Sequence, residues 1–273
     1  MLFRSFGQLC HLAGVSKETV NRLSPATASQ AFQETLPVGN KPLQVFTKEN
    51  VVRSIHGVIY TRLFNVDLVA MLREFATDFQ PPQTASSGGT GLYCGEQDMF
   101  VFLIDPTGWA EIDGEAFAPG FFLWNSEVGK RSVGVQTFWW QQVCANHIVW
   151  DAVEVVEFSR KHTASVHDCF AAIRSIIEEI VQKRDARRDG FVHVVKNAMA
   201  QKLGDAAEVQ KLLARFDVKG RLAKEALDLA RSQGRFTLWS LVDALTRLSS
   251  QLTFAADRTD ADQKAAQLLA LAA

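Results

Sequence analysis

No Cys-x-x-Cys pair and no cysteine–histidine cluster with metal-ligand spacing occurs in the 273 residues. The four cysteines, Cys10, Cys94, Cys144 and Cys169, are widely separated and read as thiols of a reducing compartment, not as zinc ligands or a disulfide frame. No apolar run approaches the ~18 residues that a membrane span needs, and the N-terminus lacks a basic-then-apolar leader. The expectation is a cytoplasmic protein with no membrane partner, no metal and no other cofactor. A phosphate loop and a serine-elbow pattern are missing too, so no catalytic residue is assigned. Nor is there an excess of charge: 29 Lys+Arg against 30 Asp+Glu leave a formal net charge of -1. That balance excludes a globally basic nucleic-acid binder but leaves room for a local patch.

What is present is an ordinary globular composition, 47% hydrophobic and 22% charged, enough to bury a substantial core. The chain is organised around residues 91–150, which hold five of the six tryptophans. An apolar run ending at Ile104 stops at the turn signal Asp105-Pro106-Thr107-Gly108, and Asp113-Gly114 is the strongest hairpin cue. Gly120 to Asn125 is answered by Ser132 to Trp140 across a charged turn. Short turns between consecutive strands predict an antiparallel meander. Near Val166 the apolar period changes from 2 to 3.6, and Gly190, Gly204, Gly220 and Gly234 read as helix stops. The fold class is therefore α+β: an antiparallel β-meander sheet packed on helices. The predicted regions are a helical hairpin over 1–37, the central sheet domain over 38–160 and a helical region over 161–273.

In the first region, Leu9 to Leu23 has the form of a helix-turn-helix, with the turn at Ala13-Gly14-Val15-Ser16 and Ser16 placed to cap the second helix. Lys17, Thr19, Asn21 and Arg22 would then face DNA; the alternative is a plain hairpin that packs its apolar residues inward. Val51 to Tyr60 reads as strand and Val66 to Phe75 as a helix started by Asn65, with Val66 in its apolar stripe. Residues 79–90 read as a Pro/Gly/Ser-rich loop.

Two sets of residues are candidates for a site. Between Lys183 and Arg247 there are 14 Lys+Arg against 8 Asp+Glu, a basic flank in a near-neutral chain. Lys183, Arg184, Arg187 and Arg188 at helical spacing predict a phosphate-contacting ridge. Arg53, Lys130 and Arg131 add charge, and one of the adjacent pair Trp139 and Trp140 should face outward as a stacking platform. The second set is polar: Asn125 and Glu127 in the charged turn, and Asn146 and His147 at the end of the following strand. The spacing of Cys144 and His147 allows a nucleophile reading, against the plainer one of amides and an imidazole satisfying backbone groups.

Four blocks together carry a family likeness: Val52-Arg-Ser-Ile-His-Gly-Val-Ile-Tyr60, Gly91-Leu-Tyr93 with Asp98-Met-Phe100, Gly120-Phe-Phe-Leu-Trp-Asn-Ser-Glu-Val-Gly129, and Val143-Cys-Ala-Asn-His-Ile-Val-Trp150. Over residues 6–255 the chain resembles the phage- and plasmid-related proteins grouped as domain of unknown function 932. The resemblance implies a gene carried on mobile elements and transfers no catalytic residue. The leading expectation is a non-enzymatic nucleic-acid binder, with DNA and preferably a single strand as partner, in the manner of phage annealing proteins. The alternatives are a module that binds a host protein such as a defence factor, and an enzyme of unrecognised class. Homo-oligomerisation is compatible with any of them.

Overall fold

The computed structural model describes residues 3–39, 41–82, 91–141, 147–150, 157–252 and 255–273. Three helices open the chain: α1 Phe3–Ala13, α2 Lys17–Val20 and α3 Pro25–Thr35. A hairpin, β1 Leu43–Lys48 and β2 Val51–Gly57, leads to α4 Asn65–Phe75. The main sheet comprises β3 Leu92–Cys94, β4 Met99–Ile104, β5 Ala110–Ile112, β6 Glu115–Asn125, β7 Val133–Gln141, β8 His147–Trp150 and β9 Glu157–Arg160. Helices then follow: α5 Cys169–Gln182, α6 Arg184–Ala200, α7 Ala206–Arg215, α8 Gly220–Ser232, α9 Leu238–Ser249 and α10 Ala255–Leu269.

The architecture is α+β and every strand pairing is antiparallel. The seven-stranded sheet runs β3-β4-β6-β7-β8, with β5 beside β6, and β9 sharing the outer edge of β7 with β8. The Asp113-Gly114 cue is realised: both residues have positive φ, 50° and 83°, and reverse the chain from β5 into β6. In one respect the sequence expectation needs correction. β1 and β2 form a separate two-stranded sheet instead of joining a continuous one. That sheet lies against α1, where Ser5 donates to the Val52 carbonyl and the Gln8 amide both donates to and accepts from the Ile55 backbone.

Both faces of the main sheet are covered. On one face, Met99, Val101, Phe121, Leu123, Val133 and Val135 pack on α4 and α5, and Phe117 and Trp139 pack on α6 and α9. On the other, Phe100, Phe122, Phe138 and Trp140 pack mainly on one another, with Trp109 and Ala266 of α10 against them. The C-terminal helices therefore complete the core of the sheet. Gly190 is a further correction: it lies within α6, where burial of Phe191, Val194, Val195 and Ala198 outweighs the cost of ~1 kcal/mol for an internal glycine. Gly220 opens α8 instead of ending a helix.

Between α9 and α10 lies an acid that holds its proton. The Ser249 hydroxyl donates to the Thr246 carbonyl at 2.9 Å. The same hydroxyl also donates to Asp262 Oδ1. Burial pushes Asp262 up to about 8, against the opposing effects of the Ser249 hydrogen bond and the charge of Arg258. Because the folded value lies above the ordinary 3.8, this group's contribution to stability is full below that pH and is lost as the pH rises through about 8. Asp262→Asn is expected to match the wild type near pH 4 and to exceed it by on the order of 2–4 kcal/mol at pH 9, as read by urea denaturation at each pH.

Candidate functional site

Three chain segments distant in sequence meet beside α1: the end of β2 with its connection to α4, the turn between β6 and β7, and the residues after β9. The turn is fixed by Gly129, whose φ of 66° suits glycine. A Cβ there would also come within 2.7 Å of the His56 ring and 3.0 Å of the Tyr60 ring. Arg4 of α1 donates from Nε to the Val128 carbonyl at 2.7 Å and also bonds the Gly129 carbonyl. Tyr60 donates its hydroxyl to the turn carbonyls of Ser126 and Glu127, at 3.3 and 3.2 Å. Arg62 Nε reaches the Glu127 carbonyl at 3.1 Å, and its guanidinium lies 3.5 Å from the centre of the Phe46 ring.

Inside this frame the rings of His56, Tyr60 and His162 form a stack, with centroids 3.8 Å and 5.4 Å apart. Burial, reinforced by Arg4 and Arg62, lowers His56 to about 4. Burial also lowers His162, and it pushes the Tyr60 phenol up to about 12. All three rings are therefore neutral at pH 7, and the positive charge of the region comes from lysine and arginine.

Two cavities of about 430 and 420 Å³ flank the stack and share His56 and Gly57 as walls. The first is bordered by Arg4, His11 and Lys17, the second by Lys130, Arg131 and Lys161. Among the described residues no aspartate or glutamate lines either one. Together they make a groove whose walls carry cations, amides, backbone and rings, along with the aliphatic Leu12, Leu43, Ile55 and Ile59. The helix-turn-helix geometry borders its first half: Gly14 has a φ of 66°, and Ser16 caps α2 through the Thr19 amide. The second helix, however, is a single turn, because Ser24 already caps α3.

The residues expected from the sequence are distributed differently from their prediction. Lys130 and Arg131 border the groove, and both pair with Asp98, at 3.2 and 3.4 Å. Arg53 is nearby and donates to the Glu96 carbonyl at 3.0 Å. Neither tryptophan of the adjacent pair faces outward: Trp139 is 0% and Trp140 4% exposed. They do point to opposite faces, but Trp139 stacks on Phe191 at 4.2 Å and Trp140 meets Trp109 edge-on at 5.7 Å.

The expected ridge at 183–188 is also not a free row of cations. Arg187 is 5% exposed and turned toward the core. Arg184 is paired with the buried Asp105, Lys183 caps the junction of α5 and α6 and pairs with Glu179 at 2.8 Å, and Arg188 pairs with Asp185 and Asp189. The two basic clusters do not converge. Asp98 and Asp105 mark them at opposite ends of β4, seven residues or roughly 23 Å apart along the strand.

Of the polar set, Asn125 donates to the Leu63 carbonyl at 2.9 Å and to the Asn65 side chain at 2.8 Å. The Glu127 carboxylate accepts the Asn65 amide at 2.8 Å, capping α4 from outside the helix. Both fasten β6 to α4. His147 pairs across from Gln141, at the other end of the sheet from Asn125, so the strands keep it away from that cluster. Asn146 and Cys144 lie outside the described residues. Cys10 and Cys169 are buried thiols and Cys94 is an exposed one. Among the described residues no group of three or more His, Cys, Asp or Glu could hold a metal ion, and no helix is long and apolar enough to cross a membrane.

Sequence reasoning missed Arg4, His56, Tyr60, Lys161 and His162 as one cluster, because they come from three distant segments. The available signal was the His56/Tyr60 spacing within the Val52–Tyr60 block, together with the charge crowded into the Ser126–Arg131 turn. No family model, curated protein or solved structure matches the chain.

Proposed function

We propose that the protein binds nucleic acid without catalysis, single-stranded DNA by preference, through the groove between α1, β2 and the β6–β7 turn. The observation that carries this reading is a groove walled by Arg4, His11, Lys17, Lys130, Arg131 and Lys161, with no carboxylate in its lining among the described residues, in a chain whose net charge is -1. A polyanion with a regular charge spacing suits such a wall, and a flexible single strand can follow two adjoining cavities better than a rigid duplex does. The resemblance in the Val52–Tyr60 and Gly120–Gly129 blocks supports a setting on a mobile element, where replication, recombination or maintenance would use such binding. The test is a titration of single- and double-stranded DNA of equal length against rising salt. Single-strand binding that weakens steeply with salt supports the proposal; no binding of either form at low salt removes it.

A second reading, a protein-binding module, is favoured by one feature at the rim of the same groove. Val58, Ile59, Phe64 and Val66 are 54, 76, 43 and 70% exposed, an apolar group on the approach to α4 and its first turn. Val66 thus lies outside the apolar stripe expected of it. A protein partner seated there would hold on with little dependence on salt, unlike a strand of DNA.

A further inference from the structure

The two outer edges of the β1–β2 hairpin are treated differently. On the β2 side, the Gln8 amide satisfies both the N–H and the carbonyl of Ile55, and Ser5 donates to the Val52 carbonyl, as a neighbouring strand would. The Ile55 groups therefore point away from β1, so Ile55 and its partner Val45 form a pair without mutual hydrogen bonds. The N–H and C=O of Val45 then point outward as well, and by alternation so do those of Leu43 and Thr47. The turn agrees, since Lys48 and Val51 close a two-residue loop, which directs the Lys48 groups inward. Among the described residues nothing bonds the outward groups of Leu43, Val45 and Thr47.

Natural strand edges are blunted by charge, proline or a bulge. From Leu43 to Thr47 β1 has no charge and no proline, and the hairpin's bulge is on β2, where Arg53 is the extra residue. Leu43 and Val45 are 48 and 54% exposed. This edge is complementary to itself. A two-fold axis at Val45 sets Val45 opposite the partner's Val45 and Leu43 opposite the partner's Thr47, and each such pair can exchange two hydrogen bonds. The same register brings Lys41 toward the partner's Glu49 and keeps the two Lys48 residues roughly 20 Å apart. We propose that two copies of this chain pair antiparallel through β1 about that axis, giving a four-stranded sheet β2-β1-β1-β2. Leu43 also lines the first cavity of the groove, so the partner's Thr47 stands at its rim. The dimer does not depend on nucleic-acid binding and is tested without it.

Sedimentation equilibrium of the full chain over roughly 1 µM to 1 mM is expected to show a reversible dimer, weak because one strand edge makes a small interface. Val45→Pro removes an N–H that faces outward, a place where an edge strand tolerates proline, and should weaken the dimer at least about tenfold with the fold intact by circular dichroism. Cross-linking tests the register itself. In a Cys94→Ser, Cys144→Ser background, diamide should link Val45→Cys, whose Cα atoms meet at about 5.5 Å. It should leave Thr47→Cys monomeric, because that residue and its copy lie roughly 13 Å apart along the strands. A chain that is monomeric at every concentration, even one whose edge takes a strand from another protein, overturns the pairing. So does a dimer left intact in folded Val45→Pro, or cross-linking at Thr47→Cys as strong as at Val45→Cys.

Discussion

Trp139→Ala is expected to cost about 3–5 kcal/mol of folding stability, the range for removing a large aromatic from a core. The indole is 0% exposed and lies face to face with Phe191 at 4.2 Å, an interplanar angle of 7°. Phe117, also fully buried, meets Phe191 and Trp239 edge-on beside it, so the site is walled by rings that cannot collapse fully into the gap. The loss comes from transfer of the indole and from the cavity left behind. Chemical denaturation of the variant gives the number directly. A cost below about 1 kcal/mol would mean that α6 does not seat on this face of the sheet. DNA affinity of the folded protein should be unchanged, since no base can reach the ring.

The second large effect is Arg184→Ala, expected to destabilise by about 2–4 kcal/mol. Asp105 is 1% exposed, at the end of β4, and its second oxygen already takes the Thr107 amide at 2.9 Å and the Thr107 hydroxyl at 2.7 Å. Arg184 supplies the countercharge from the first turn of α6, so its removal strands a carboxylate in the interior. Arg184 is itself partly exposed, which places the estimate below the full cost for a wholly buried pair. Lys183→Ala and Arg188→Ala make the comparison: their ion pairs are at the surface and should change stability by only ~0–1 kcal/mol. Thermal melts of the three single variants separate a pinned arginine from a solvated row. Equal shifts in all three would contradict this division of roles.

The sheet was legible because local chemistry and tertiary structure agree along it. Asp113-Gly114 demanded positive φ and has it, and the strands around it alternate as their sequence alternates. Trp139 and Trp140 show where local pattern stops. Period-2 alternation gives the two rings opposite faces, but whether a face is open depends on α6 and α10, which follow by about 50 and 120 residues along the strand's own chain. Lys183 to Arg188 failed for a related reason. Helical spacing correctly relates 184 to 188, but it carries no information about Asp105, a carboxylate brought up by a strand 79 residues earlier. The groove was least legible: Arg4, the His56–Tyr60 pair, Lys130 and Lys161 come from separate elements, and only the packing of α1 on β2 puts them along one surface. Asn125 and Glu127 were picked out correctly as a crowded polar group, and their partners show that they tie β6 to α4.

The central claim is that the groove binds a nucleic-acid strand, and it is tested most directly by anisotropy titration of a labelled single strand against the wild type and a Lys17→Glu, Lys130→Glu, Lys161→Glu variant across a salt series. With the fold intact by circular dichroism, the variant should lose most of its low-salt affinity. The slope of log K against log salt should become shallower by roughly 2, for three phosphate contacts at about 0.7 each. Superimposable curves for wild type and variant, or a wild type that leaves the strand unbound at low salt, would contradict the account.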